Sequence, residues 1–104
     1  AEAGLPAMRG DEDYQVRETV ARRLPAPLLP TMADDPDAQV RAEVARRIEL
    51  PALRRLAHDP SEVVRRIVAE RLPLPLLGLF DRDDDVIVAH TVATRLGAGE
   101  APHG

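Results

Sequence analysis

The chain has no cysteine, no lysine and no tryptophan, and its 104 residues include one tyrosine and one phenylalanine. Lacking cysteine, it has no disulfide, no thiolate metal site and no cysteine-held iron–sulfur cluster of its own. Lacking large rings, it must fill its interior with Leu, Val, Ile and Ala, which suits helices packed close together. Lacking lysine, it draws all fourteen basic side chains from arginine, whose planar fork pairs with carboxylates in fixed geometry. No apolar run approaches the ~18 residues of a membrane span. The opening "AEAGLPAM" shows neither the basic stretch nor the apolar centre of a signal peptide, so a cytoplasmic location is expected. A net charge of −4 disfavours nucleic acid as a partner.

What the sequence has in quantity is a repeat. Sliding it by 24 residues aligns "DEDYQVRETVARRL" (11–24), "DPDAQVRAEVARRI" (35–48), "DPSEVVRRIVAERL" (59–72) and the stretch from Asp83 to Leu96. Asp11, Asp35, Asp59 and Asp83 open the units. Val16, Val40, Val64 and Val88 form one apolar column, and Val20, Val44, Val68 and Val92 a second. Ala21, Ala45, Ala69 and Ala93 follow, then Arg23, Arg47, Arg71 and Arg95, and Leu24, Ile48, Leu72 and Leu96 close the set. Apolar residues at i, i+4 and i+8 make one stripe of a helix. Asp35-Pro36 and Asp59-Pro60 read as an N-cap followed by proline at the first helical position, and Asp59 with Glu62 has capping-box spacing. A second segment, "PAPLLPTM" (25–32), "LPALRRL" (50–56) or "LPLPLLGLF" (72–80), has apolar spacing of three and suits a 3₁₀ or short helical piece better than a strand. Leu5 and Met8 fit the end of an incomplete unit upstream.

The form D-x-x-x-x-V-R-x-x-V-A-x-R-L followed by a Pro/Leu segment resembles the leucine-rich repeat variant family and, more distantly, HEAT-like repeats, over roughly residues 5–97. The resemblance implies an all-α, right-handed solenoid of alternating α-helices and short 3₁₀ helices, with no sheet. A single repeat domain over 1–97 follows: a partial unit 1–10, repeats 11–34, 35–58, 59–82 and 83–97, then a flexible tail 98–104. Members of the family can carry an amino-terminal domain with a cysteine-held iron–sulfur cluster. With no cysteine here, no cofactor is expected in this chain, and a role beside an iron–sulfur redox protein would require such a domain upstream.

One question is left by the columns: why an arginine at Arg17, Arg41 and Arg65, and Ala89 in the fourth copy? With Val20 at the centre of the buried stripe, about 100° per residue puts Arg17 at about +60°, Ala21 at about +100° and Arg23 at about −60°. The arginine thus lies at the stripe's edge, on the flank of the small alanine, and needs an acceptor. Two arrangements answer. If each helix lays its alanine flank on the helix before it, Arg41 faces Gln15 and Thr19, Arg65 faces Gln39 and Glu43, and Ala89 faces the apolar Val63 and Ile67. Alternatively, Asp35 or Asp59 accepts from Arg17, Arg41 or Arg65 in a ladder across repeats.

Arg17, Arg41, Arg65, Arg23, Arg47, Arg71 and Arg95 are therefore candidate interaction or inter-repeat residues. Ile87 joins them, expected on the end of the stack with Thr91, where a terminal repeat could self-associate. The acidic run "DRDDD" (81–85) lacks the glycine and distal glutamate of a calcium loop and reads as helix-dipole compensation. His58, His90 and His103 stand too far apart for a metal pair, and Ser61 has no nucleophile context. No enzyme is expected. The sequence points to a scaffold for an unknown protein partner, with nucleic-acid or anion binding through the arginine columns as the alternative.

Overall fold

The computed structural model describes residues 4–98. The expected tail 98–104 falls, from residue 99 on, outside the described residues, as does His103. A single turn, α1 (Leu5–Met8), precedes four main helices: α2 (Tyr14–Arg23), α3 (Ala38–Arg47), α5 (Glu62–Arg71) and α6 (Val86–Ala93). Their starts at 14, 38, 62 and 86 keep the 24-residue period. Between them run 3₁₀ segments at Ala26–Met32 and Leu74–Phe80; in the middle unit, the short helix α4 (Ala52–Arg55) leads into a 3₁₀ turn at Leu56–His58. A π turn, Thr94–Ala98, ends the described chain. No strand occurs among the described residues. The result is an all-α solenoid, elongated to 54 × 22 × 17 Å.

Each main helix starts on a side-chain cap, but not the expected one. Asp13, Asp37, Ser61 and Asp85 are the N-caps, in extended conformation, and their side-chain oxygens accept backbone N–H groups of the first turn. Asp35 and Asp59 stand two residues too early to cap, and Pro36 and Pro60 lie in the approach to the helix. Their carboxylates accept instead from the N–H of Asp37 and Ser61, both at 2.9 Å, which folds the entry loop into an Asx turn. Leu24, Ile48 and Leu72 end their helices in nearly the same extended geometry, with ψ between 144° and 148°. Leu24 and Leu72 precede a proline, which disfavours helical continuation. Ile48 precedes Glu49 and does the same. Proline therefore assists this stop but does not define it; burial of the closing residue is common to all three.

The core is a column of layers. Val20, Val44 and Val68, then Leu24, Ile48 and Leu72, are at most 1% exposed. The second segments add Leu29, Leu53 and Leu77, with Met32, Leu56 and Phe80 below them, all buried. Ala21, Ala45 and Ala69 are 0% exposed, at the contacts between successive helices. A side chain of one carbon lets two helices approach to about 8–10 Å.

The two ends differ. At the first, Leu5 of α1 is buried at 6% exposure. At the last, Leu96 is 50% exposed and Ala93 is open to solvent, although their columns are fully buried elsewhere.

Candidate interaction surfaces

The arginine columns settle the direction of stacking. The Arg17 fork donates to both carboxylate oxygens of Asp35, Nε to Oδ2 at 2.8 Å and Nη2 to Oδ1 at 3.1 Å. Arg41 meets Asp59 at the same two distances, and Arg65 meets Asp83 at 2.7 and 3.4 Å. The remaining nitrogen turns back to its own unit: Nη1 of Arg17, Arg41 and Arg65 donates to the carbonyls of Asp11, Asp35 and Asp59 at 2.7–2.9 Å. Each arginine thus ties the entry loop of its own helix to the entry loop of the next.

The alanine flank therefore faces forward, to the following helix. This reverses the first of the two expected arrangements: Arg41 and Arg65 do not turn to Gln15, Thr19, Gln39 or Glu43, and Ala89 does not face Val63 and Ile67 but is exposed. The flank of Ile67 instead faces backward and is 7% exposed, while Thr19, preceded only by α1, is exposed. The ladder across repeats is what forms.

The second column works at the other end of the helices, and points backward. Arg47 Nη1 donates to the carbonyl of Ala21 at 2.9 Å. Arg71 Nη1 reaches Ala45 and Ile48 at 2.7 and 2.6 Å, and Arg95 Nη1 reaches Ala69 and Leu72 at 2.9 and 2.5 Å. These carbonyls lie in the last turn of the preceding helix or just past it, where backbone acceptors lack intrahelical donors. A cation there also answers the negative end of the helix dipole. Arg23 holds the same position in the first unit.

Hydrogen bonds to Asp35, Asp59 and Asp83 push the guanidinium groups of Arg17, Arg41 and Arg65 above their ordinary value, with partial desolvation opposing. All three arginines are 12–15% exposed and their aspartates 4–6%, so these pairs are largely withdrawn from water. Desolvated pairs of this kind are costly to break on one side. The last junction adds a second bidentate pair, Arg66 with Asp85, both contacts at 2.9 Å. The Arg66 hydrogen bond, followed by the backbone N–H of Val88, holds the Asp85 carboxyl at about 2. The "DRDDD" run thus divides its work. Asp83 takes Arg65, Asp85 caps α6 and takes Arg66, and Asp84 stands 98% exposed at 3.9 Å from Arg65.

Ile87 is 49% exposed, but not because it ends the stack. At about −140° from Val92 it sits on the rear shoulder of α6, in the column of Val63, which is 40% exposed. Forward stacking moves the open end to the opposite flank. Ser61 is the cap of α5, and His90 lies 3.5 Å from the Thr94 hydroxyl. Neither joins a catalytic set, and no group of three or more His, Asp or Glu among the described residues could hold a metal. The donors for an iron–sulfur cluster are missing from the sequence itself, so this chain does not fit one.

Several open grooves remain among the described residues. Two follow the entry loops, about 370 and 330 Å³, share His58, Asp59 and Pro60, and have the Arg41–Asp59 and Arg65–Asp83 pairs in their walls. The third, about 370 Å³, lies on the opposite edge between Pro27, Pro30, Leu50 and Pro51 and is mainly apolar. Leu50 beside it is 47% exposed, and 24 residues on, Leu74 is 50% exposed. Leu50 lies between α3 and α4, and Leu74 opens the 3₁₀ segment that follows α5. No described helix is long and apolar enough to cross a membrane.

The leucine rich repeat variant family model matches residues 14–37 and 38–61, two adjacent 24-residue units. No curated protein and no solved structure matches the chain.

Proposed function

We propose, for a chain that belongs to the leucine-rich repeat variant family, a non-enzymatic role: a repeat scaffold that holds a protein partner along its Pro/Leu edge. The observation that supports it is the pair Leu50 and Leu74. Two large apolar side chains stand one repeat apart on the array, each about half exposed, and Leu50 lines an apolar groove with Pro27, Pro30 and Pro51. Exposed apolar groups in a row on a solenoid offer a partner an extended contact surface.

The alternative, nucleic-acid or anion binding through the arginine columns, loses support from the same structure. Arg17, Arg41 and Arg65 spend their forks on buried aspartates, and Arg47, Arg71 and Arg95 spend a nitrogen on backbone carbonyls. A guanidinium already committed inside the fold has few donors left for phosphate.

The test compares the wild-type chain with Leu50→Asp/Leu74→Asp as bait in a cytosolic extract. Proteins retained by the first and lost by the second support the edge; identical retention overturns it. Binding to duplex or single-stranded nucleic acid that weakens steeply with salt would favour the alternative.

A further inference from the structure

The segment after α3 departs from its counterparts in the units on either side. There the 3₁₀ segments begin at Ala26 and Leu74, directly after Pro25 and Pro73. At those two positions the middle unit has Glu49 and Leu50, and its helix α4 begins only at Ala52. Glu49, Leu50 and Pro51 are left as an exposed connection. The apolar groove of about 370 Å³ lies between this connection and Ala26, Pro27 and Pro30 of the unit before.

The groove has one charge. Glu49 is exposed in its wall, and among the described residues its carboxylate takes part in no hydrogen bond or ion pair. No arginine lines the groove. Arg47, two residues earlier, gives a nitrogen to the Ala21 carbonyl. A carboxylate thus stands where the neighbouring units have proline, beside aliphatic carbon and without a cation.

We infer that this groove receives a short extended segment of the protein partner in which an aliphatic side chain stands next to an arginine or lysine. The inference rests on the edge-binding reading above and names the chemistry that the edge recognises. Three of the lining residues, Pro27, Pro30 and Pro51, have no N–H, so they offer no main-chain donor to a ligand. Contact with them is made by carbon, and an aliphatic side chain supplies it. Their rings are already fixed, so little side-chain freedom is lost when the groove fills. No aromatic ring lines the groove to stack on a planar group, and the Glu49 carboxylate repels phosphate. What it attracts is a cation carried close to the aliphatic anchor. A cleft near the low end of the ~300–1,000 Å³ typical of ligand sites suits a few residues of an extended chain rather than a folded element.

The full chain, labelled with nitrogen-15, is titrated with a synthetic peptide of alternating leucine and arginine while its amide shifts are followed. Two further peptides carry glutamate in place of arginine, or serine in place of leucine. The expected shifts gather at Ala26, Leu50 and Ala52, and each altered peptide binds several-fold more weakly. Glu49→Gln should weaken binding of the leucine–arginine peptide about threefold, as for one exposed ion pair. Asp84→Asn removes an equally exposed charge from the opposite edge and should leave that binding unchanged. No binding at millimolar peptide, shifts centred on Asp34 and Asp84, equal binding of the glutamate peptide, or equal losses from the two variants would each overturn the assignment. In the extract experiment, a partner lost by Leu50→Asp/Leu74→Asp but kept in full by Glu49→Gln would spare the edge and overturn this inference alone.

Discussion

Helices α3 and α6 have the same valine and alanine columns, yet the forward flank of one is core and that of the other is surface. On α3, Arg41 is drawn into a bidentate pair with Asp59, and Ala45 is fully buried. On α6, Ala89 and Ala93 in the same two columns are exposed. The difference teaches that the Val-Arg arginine is not a property of the helix that bears it. It answers the aspartate of the next unit, as Arg41 answers Asp59 and Arg65 answers Asp83. The backward column obeys the same logic in reverse: Arg95 on α6 still has a preceding helix to grip, and it is kept.

The largest expected effect breaks the comparison from the α3 side. Arg41→Met leaves Asp59 buried without its cation and should lower unfolding free energy by about 3 kcal/mol in urea denaturation. Adding Asp59→Asn should recover part of that loss, because the amide oxygen can still accept the Ser61 N–H while no buried charge is left unpaired. A single substitution that proves harmless would show that water reaches Asp59.

Next in size is overpacking. Ala45→Leu forces three extra carbons into the contact between α3 and α5 and should cost about 1–3 kcal/mol. Ala93→Leu, the same change one column-end later, should stay within about 0.5 kcal/mol. Equal melting shifts for the two would erase the difference between interior and end.

Acid offers a finer probe at the last junction. The Asp85 carboxyl titrates at about 2 in place of its ordinary 3.8. Its contribution to stability is therefore complete above pH 3.8 and is lost as pH falls through about 2. Arg66→Met should move the Asp85 titration back towards 3.8, read by carboxyl carbon NMR, and bring on acid loosening of α6 at higher pH. An unmoved titration would mean that the Val88 N–H alone holds the carboxyl down.

The smallest effect is the sharpest test of the answer about alanine. Ala89→Arg should be neutral within about 0.5 kcal/mol, since the new side chain enters solvent. A large loss of melting temperature would show that the flank is covered.

The repeat length, the helix–3₁₀ alternation and the core columns were legible in the sequence, because burial of one stripe leaves a direct periodic record. The stacking direction was harder. A wheel of about 100° per residue fixes which flank carries Arg17 and Ala21, but not which neighbour that flank meets. The pairing itself left a sign in the sequence: Asp35, Asp59 and Asp83 each stand 18 residues after Arg17, Arg41 and Arg65. The caps were missed for a different reason. Asp-Pro has the form of a helix start, and it drew attention from the column Asp13, Asp37, Ser61 and Asp85 two residues on. The open flank of α6 followed only once the direction was known.

Arg71 and Arg95 finish helices to which they do not belong, each closing the last turn of the helix before it. No main helix that is so gripped is complete within its own 24 residues. Melting should therefore spread as fraying does in a zip fastener: the loss of one unit from the C-terminal side removes the clasp from its neighbour and makes that one the next to open. Hydrogen exchange should rank the helices accordingly, with protection rising inward from α6 and residues near Ile48 and Leu72 reporting the state of the following unit.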